Sequence, residues 1–420
     1  MNNSLKASAN GDSTGELMIN VTSVSDNYPV PDAKVSISYS GEPDSIFEEI
    51  QTDSSGNTDI ISVPTPPIDY SLEPGLNMPY SEFTINISAE GFKNVIISGS
   101  EVLPNIKSIQ NVRLVPLQAE TGAPDPIVIP AHTLYGIYPP KIAEASVKPI
   151  EETGNIVLSR VVVPEIIVVH DGVPTDRTAP DYYVRYKDYI KNVASSEIYA
   201  TWPQSAIRAN ILAIMSFTLN RVYTEWYRNK GYNFTITSST AFDHKWIYGR
   251  NIFDTISVIV DEIFDRYLSK PNVKQPILTQ YCDGERTKCP EWMSQWGSKY
   301  LGDRGYSTID ILRFYYGDEI YINSAEQIAG IPYSWPGYNL DIGSTGQKVL
   351  QLQQQLNVIS TAYPAIPKLV EDGIYGEATA NSVRIFQRVF NLPATGVTDF
   401  PTWYKISDIY VGVSRIAELA

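Results

Sequence analysis

Histidine and cysteine are scarce in this chain, with 3 His and 2 Cys in 420 residues. Two cysteines, Cys282 and Cys289, cannot make a disulfide scaffold, so buried apolar surface must hold the fold together. Few histidines also leave little material for a zinc centre of the amidase kind. Basic residues are short as well: 32 Lys and Arg face 47 Asp and Glu, for a formal charge of -15 and no Lys/Arg cluster. That balance argues against a nucleic-acid partner. No apolar run approaches the roughly 20 residues of a bilayer-spanning helix. The opening MNNSLKASANGDSTGEL lacks the basic-then-apolar plan of a secretory signal, so synthesis in a cytosol is expected.

What is abundant is tyrosine (28) and proline (29), in a composition 43% hydrophobic and 19% charged. This is the make-up of globular domains joined by proline-bearing linkers. At roughly 150 residues per domain, two to four domains are expected. After a tail over residues 1–14, short β-rich runs such as LMINVTSV, AKVSISYS, FTINISA and IQNVRLVPL occupy residues 15–117, separated by turn clusters like DSSGN. Their spacing predicts an antiparallel β-sandwich. Residues 118–155, rich in Pro and Ala, read as an extended linker open to proteases.

A mixed α+β domain is expected over residues 156–325. It opens on the β run IVLSRVVVPEIIVVH, and its first helix, Tyr186 to Ile198, sets Ile190, Val193, Ala194 and Glu197 on one stripe. Pro203 starts a second helix whose buried face carries Ile207, Ile211 and Ile214. A second linker, 326–338, precedes a region 339–420 in which Val349, Leu352, Leu356 and Ile359, then Val383, Phe386 and Phe390, repeat at helical spacing. A third helix starts near Thr402. The intervening DGIYG demands a positive backbone angle at Gly373 or Gly376. The expected fold class is therefore a multidomain α+β chain ending in a small three-helix domain.

Glu197 stands out because a carboxylate on an apolar stripe is desolvated, which favours its protonated form and suits it to give a proton to a glycosidic oxygen. The structural alternative is a Glu at a helix end bonded to solvent or nearby backbone. Cys282 and Cys289, seven residues apart, admit a disulfide, two thiols, or, with His244, a metal site. His132 and His170 read as structural or solvated, and Asp243, Asp254 and Asp283 as solvated loop carboxylates, so no second carboxylate beside Glu197 is evident.

Three resemblances sharpen these readings. Residues 15–117 resemble the carboxypeptidase-regulatory-like, transthyretin-like sandwich, which implies no chemistry of its own. The C-terminal IGSTGQKVLQLQQQLN, DGIYGEATANSVRIFQRVFNLPATGVTDFPTWYKI resembles the peptidoglycan-binding domain 1 family. That resemblance implies docking on cell-wall glycan or stem peptide, with Asp372 and Tyr375 as candidate wall contacts. The blocks YKDYIKNVASSEIYATWPQSAIRANILA, SSTAFDHKWIYGR and MSQWGSKYLGDRGYSTIDILRFYYGDEI are similar to the SpoIID/LytB family of lytic transglycosylases. By that resemblance Glu197 is the catalytic acid/base, with Trp202, Ser239, Thr240, His244, Tyr248, Ser294, Gln295 and Trp296 as candidate substrate contacts. The chain departs from the family at Met215 and at Cys289.

A lytic transglycosylase needs one carboxylate, because the 6-hydroxyl of muramic acid attacks its own C1 and leaves a 1,6-anhydro end. The full arrangement resembles the clostridial spore-cortex-lytic enzymes. This implies a zymogen in the cortex or coat region of the spore, acting on cortex peptidoglycan once a subtilisin-like Csp protease removes the N-terminal region. The cut is expected between Leu117 and Leu134. No cofactor is implied. The alternatives are a muramidase or amidase, and a non-catalytic peptidoglycan-binding scaffold.

Overall fold

The computed structural model describes residues 13–24, 28–118, 125–136, 138–148, 158–330 and 335–414. Alternation of apolar and polar residues builds the N-terminal unit. Leu17, Ile19 and Val21 of strand β1 (Thr14–Ser23) all point into one core, as do Val35 and Ile37 of β2 (Lys34–Tyr39). Strands β3 (Ile46–Gln51) and β4 (Ile61–Pro64), a short helix α1 (Asp69–Leu72), β5 (Ser81–Ser88), β6 (Val95–Val102) and β7 (Lys107–Leu114) follow. They form two sheets that share this core: β7-β1-β4, and β3-β2-β5-β6. Strand β1 runs parallel to β7 and antiparallel to β4.

The segment expected to be a free linker is packed instead. Its strand β8 (Ile127–Val128) adds to β6, and Ile129 donates its N–H to the Ser98 carbonyl at 2.8 Å. Gly99, at φ +89°, allows that approach, since a Cβ there would lie 2.2 Å from the Ile129 oxygen. Parts of this connector, residues 119–124, 137 and 149–155, lie outside the described residues.

The central domain starts with β9 (Val162–Val163), β10 (Ile166–His170) and β11 (Asp181–Arg185); β10 pairs with β11 and with β12 (Ile236–Thr237). Helix α2 (Tyr186–Glu197) is buried almost throughout, and Pro203 caps α3 (Gln204–Tyr223). Helix α3 is buried on nearly every side because α2, α4 (Asp254–Ile263), α5 (Gln295–Asp303), α6 (Thr308–Tyr316) and β14 (Arg266–Ser269) surround it. Between α3 and α4, β13 (Ile252–Phe253) leaves the central domain and pairs antiparallel with β7 of the N-terminal unit. Two further strands, β15 (Tyr281–Cys282) and β16 (Met293–Ser294), lie side by side ahead of α5. The domain closes with β17 (Tyr321–Ser324) on β14 and β18 (Gln327–Ile328) on β9, so part of the expected second linker is strand.

The C-terminal helical region comprises α7 (Gln347–Ala362), α8 (Glu377–Val389) and α9 (Phe400–Ser414). Val349, Leu352, Leu356, Ile359, Val383, Phe386 and Trp403 form its interior. Gly373, at φ +69°, is the turn glycine of the two candidates, and the Asp399 carboxylate caps α9 by accepting from the Thr402 N–H at 3.0 Å. Arg185 meets Asp408 at 2.6 Å and Phe264 stacks near Phe400 and Tyr404, fixing this region to the central domain.

Candidate functional site

Glu197 is the last residue of α2 and is 8% exposed. Its Oε1 accepts from the Lys245 N–H at 2.7 Å, and its Oε2 from the Gln295 side-chain amide at 3.1 Å. The same amide donates to the Glu197 carbonyl at 2.7 Å. Helix α2, the SSTAFDHKWIYGR block and the start of α5 therefore converge on one carboxylate. Thr240 and Gln295 line the cavity with it, as the sequence suggests.

Other expected contacts fall elsewhere. His244 is 0% exposed and sits in the core between the Phe217 and Tyr281 rings, its Nδ1 bonded to the Tyr189 hydroxyl at 2.9 Å. Burial first, then the charges of Lys141 and Arg221, pushes it well below the usual imidazole range. It is a neutral packing residue here. Trp202 and Trp296 are also buried, in an aromatic cluster with Tyr199. Ser294 caps α5, accepting from the Gly297 N–H at 2.8 Å, and the Ser239 carbonyl closes a turn by accepting from the Asp243 N–H at 2.7 Å. Tyr248, 47% exposed, stacks on Tyr182. Met215 is a core residue of α3.

The block that carries Thr240 and Lys245 is held by Asp243, which is 0% exposed rather than solvated. Its carboxylate accepts from Arg221 Nε (2.7 Å), the Tyr227 hydroxyl (2.6 Å), and both the N–H and hydroxyl of Thr237 (2.9 and 2.7 Å). Arg221 in turn bonds Glu144 of the connector through both terminal nitrogens. Burial opposes ionisation of Glu144, but Arg221 and Lys148 outweigh it and hold its carboxyl at about 2. Asp254 pairs with Lys107 at 3.4 Å. Asp283 is also buried: its Oδ1 accepts from the N–H groups of Glu285, Arg286 and Thr287, and its Oδ2 has no partner among the described residues.

The connector fills the Glu197 site. His132, Leu134, Tyr138, Pro139 and Lys141 line the cavity from one side, and Glu197, Lys245, Tyr281, Asp283 and Gln295 from the other. The space left is about 50 Å³, room for a few waters and far below the roughly 300 Å³ of a small-molecule site. No sugar ring fits. Leu134 accepts from the Trp296 indole at 2.9 Å, and Ser71 of the N-terminal unit accepts from the Trp202 indole at 2.9 Å. Lys141, over the Tyr281 ring at 4.5 Å, is pushed down to about 8 by burial, against the pull of Glu197. Tyr138 rises to about 12, through burial and then the charges of Glu197 and Asp283.

His132 adds a pH dependence. Its Nε2 donates to the Ser196 carbonyl, and its Nδ1 lies 2.8 Å from the Tyr138 hydroxyl, which itself donates to the Thr133 carbonyl. Burial first, then Arg250, lowers its pKa to about 3. A released His132 titrates near 6.5. Below that value the released connector binds a proton that the seated one refuses. Seating is therefore full above about 6.5 and weakens as pH falls toward 3, by about 2 kcal/mol at pH 5. Protease nicking of the connector is expected to speed up between pH 7.5 and 5.5, and His132→Asn to flatten that response.

Cys282 and Cys289 form a disulfide, which settles their three readings. Among the described residues no group of three or more His, Cys, Asp and Glu could hold a metal ion. In the C-terminal region, Tyr375 is a core residue whose hydroxyl bonds the Gly396 carbonyl (2.9 Å) and Thr398 (3.1 Å), so its candidacy as a wall contact is withdrawn. The Asp372 carboxylate shapes its own turn, accepting from Gln353 and the Ile374 N–H, both at 2.9 Å.

Comparison with known proteins adds one assignment. The family described as putative peptidoglycan binding domain matches residues 345–406, which span α7, α8 and the first half of α9. The chain thus carries a cell-wall-binding domain at its C-terminal end, in an α+β chain of several domains. No protein of curated function matches it. Among solved structures, mercury-inhibited catechol 1,2-dioxygenase from Acinetobacter sp. ADP1 has 12% identity over 29% of this chain and a TM-score of 0.19. The match spans 60% of that enzyme's length and is too slight to bear on fold or activity. Among the described residues no helix is long and apolar enough to cross a membrane.

Proposed function

We propose that the chain is the latent form of a peptidoglycan-cleaving enzyme, a lytic transglycosylase of the SpoIID type, made to act on spore-cortex glycan. The observation that carries this reading is a buried Glu197 in a cavity plugged by the chain's own connector, in a chain that also carries a match to a peptidoglycan-binding domain. With the plug removed, Glu197 gives its proton to the glycosidic oxygen between MurNAc and GlcNAc. The 6-hydroxyl of the muramic residue then attacks C1, Glu197 recovers a proton from it, and a 1,6-anhydro end results. Gln295 and the Lys245 N–H orient the carboxylate throughout.

Asp283 favours a second reading. It lines the same cavity with one oxygen unpaired among the described residues, so a water could be activated there and the enzyme would be a muramidase. The products decide: anhydro-muramic ends support the first reading, and reducing muramic ends the second.

Latency points to where a protease such as the subtilisin-like Csp enzyme would have to act. A cut between Leu117 and Leu134 leaves Tyr138 and Lys141 in the cavity and Glu144 on Arg221. A cut beyond Lys148 frees them. The test folds the full chain with a protease recognition sequence at residues 119–122 or at 151–154, cuts it, and digests cortex peptidoglycan. Only the second form is expected to release muropeptides, identified by mass spectrometry. Equal release by both forms would refute the plug, and no release by either would refute the cleaving function.

A further inference from the structure

The seam between the N-terminal unit and the central domain is built on a buried ion pair. Arg250, 6% exposed, grips Glu101, 1% exposed, with Nη1 to Oε1 at 3.1 Å and Nη2 to Oε2 at 2.6 Å. Asn251 completes the cradle, its amide donating to the Glu101 carbonyl at 2.8 Å and its oxygen accepting from the Glu101 N–H at 2.9 Å.

The receptor for this carboxylate is fixed to the Glu197 site from within the central domain. Arg250 Nη2 also donates to the Ser195 carbonyl, two residues before Glu197 on α2. Asn192, one turn earlier, bonds the Ile247 N–H and carbonyl at 3.0 and 2.7 Å. The same loop presents the Lys245 N–H to Glu197. Loop 245–251 therefore keeps its place on α2 by contacts that do not involve the N-terminal unit.

A buried ion pair adds little net docking strength over an apolar pair of the same size. Apolar docking is present already, since Ile247 sits in the core of the N-terminal unit. What the ion pair does is chemically specific: the planar guanidinium stays charged and matches a carboxylate in two-pronged geometry. The arginine belongs to the part that stays after a cut, and the carboxylate to the part that leaves. Arg250 Nε is buried and has no partner among the described residues, which leaves a further donor for a larger acidic group.

We propose that Arg250, with Asn251, is a substrate subsite for a carboxylate group of peptidoglycan, and that Glu101 occupies it in the latent chain as a stand-in. The proposal rests on the glycan-cleaving reading. Peptidoglycan offers such a carboxylate from two sources, the lactyl group of muramic acid and the stem peptide. Arg250 is a positioning and specificity residue, not the acid.

The test uses the full chain bearing Glu197→Gln, folded, cut at residues 151–154 and separated from its N-terminal fragment. Calorimetry measures binding of four GlcNAc-MurNAc probes: one with a free lactyl carboxylate, one with an L-Ala-D-Glu stem, and each of these with its carboxyls converted to amides. At least one acid probe is expected to bind about tenfold or more tightly than its amide. Arg250→Gln should erase that ratio and Arg250→Lys keep part of it, and the better acid probe identifies the source. Equal affinity for acid and amide, a ratio that survives Arg250→Gln, or no binding of any probe would overturn the subsite. Cortex digestion by the same cut protein with Glu197 restored reports separately on cleavage. A protein that cleaves without discriminating loses only the subsite; one that discriminates without cleaving loses only the enzymatic reading.

Discussion

Glu197→Gln in the cut protein is expected to lower glycan cleavage by about two to four orders of magnitude, the usual share of a positioned general acid. Wall binding through residues 345–406 should be unchanged, because that domain lies outside the cavity. The stability cost is small. The new amide oxygen can still accept from Lys245 N–H or from Gln295, but its NH₂ then faces the other donor. Losing one such bond costs about 1 kcal/mol. A variant that cleaves cortex at the parent rate would remove Glu197 from the mechanism. One that fails to melt cooperatively would show that the carboxylate serves the fold instead.

Asp243→Ala is expected to be the most destabilising single change in the central domain. It strips the carboxylate from a fully buried Arg221 and leaves the Tyr227 hydroxyl and both donors of Thr237 facing a void. Breaking a buried pair from one side costs about 3–5 kcal/mol. Glu144 still bonds the terminal nitrogens of Arg221, so the full chain keeps part of the network. A chain cut beyond Lys148 loses Glu144 as well. Asp243→Ala should therefore lower the thermal midpoint in both forms and more steeply in the cut one, measured by calorimetry. Asp243→Asn, which keeps an acceptor, should fall between. Equal shifts in both forms would show that the connector does not support Arg221.

The sequence conveys local facts well. The stripe Ile190, Val193, Ala194, Glu197 places the carboxylate at a helix end because period and burial are written in adjacent residues. A turn glycine at Gly373 or Gly376 is legible for the same reason, and Gly373 is the one at positive φ. Contacts made across the fold are not. His132 meets Ser196 over 64 positions, and no spacing rule links a histidine in a proline-rich stretch to a helix end. His244 shows the converse: a histidine inside a recognisable motif lies in the core, since its ring packs as an aromatic among Tyr189, Phe217 and Tyr281. Asp243 and Asp283 read as loop acids because loops are usually wet. Their burial comes from Arg221 in one case and from three consecutive backbone N–H groups in the other. The phrase AHTLYGIYPPK does carry a usable signal, as a dense cluster of aromatic and basic side chains is poor material for a free spacer.

The pairing of β13 with β7 has a cost that falls on any form from which the N-terminal unit is removed. Once the N-terminal unit departs, Ile252 and Phe253 lose the neighbours Ile109 and Ser108 and present unpaired backbone groups beside apolar side chains. Such an edge recruits other strands, including the same edge of a second molecule. In the intact chain the N-terminal unit covers that edge, so under the activation proposed above its removal is expected to raise the tendency to self-associate.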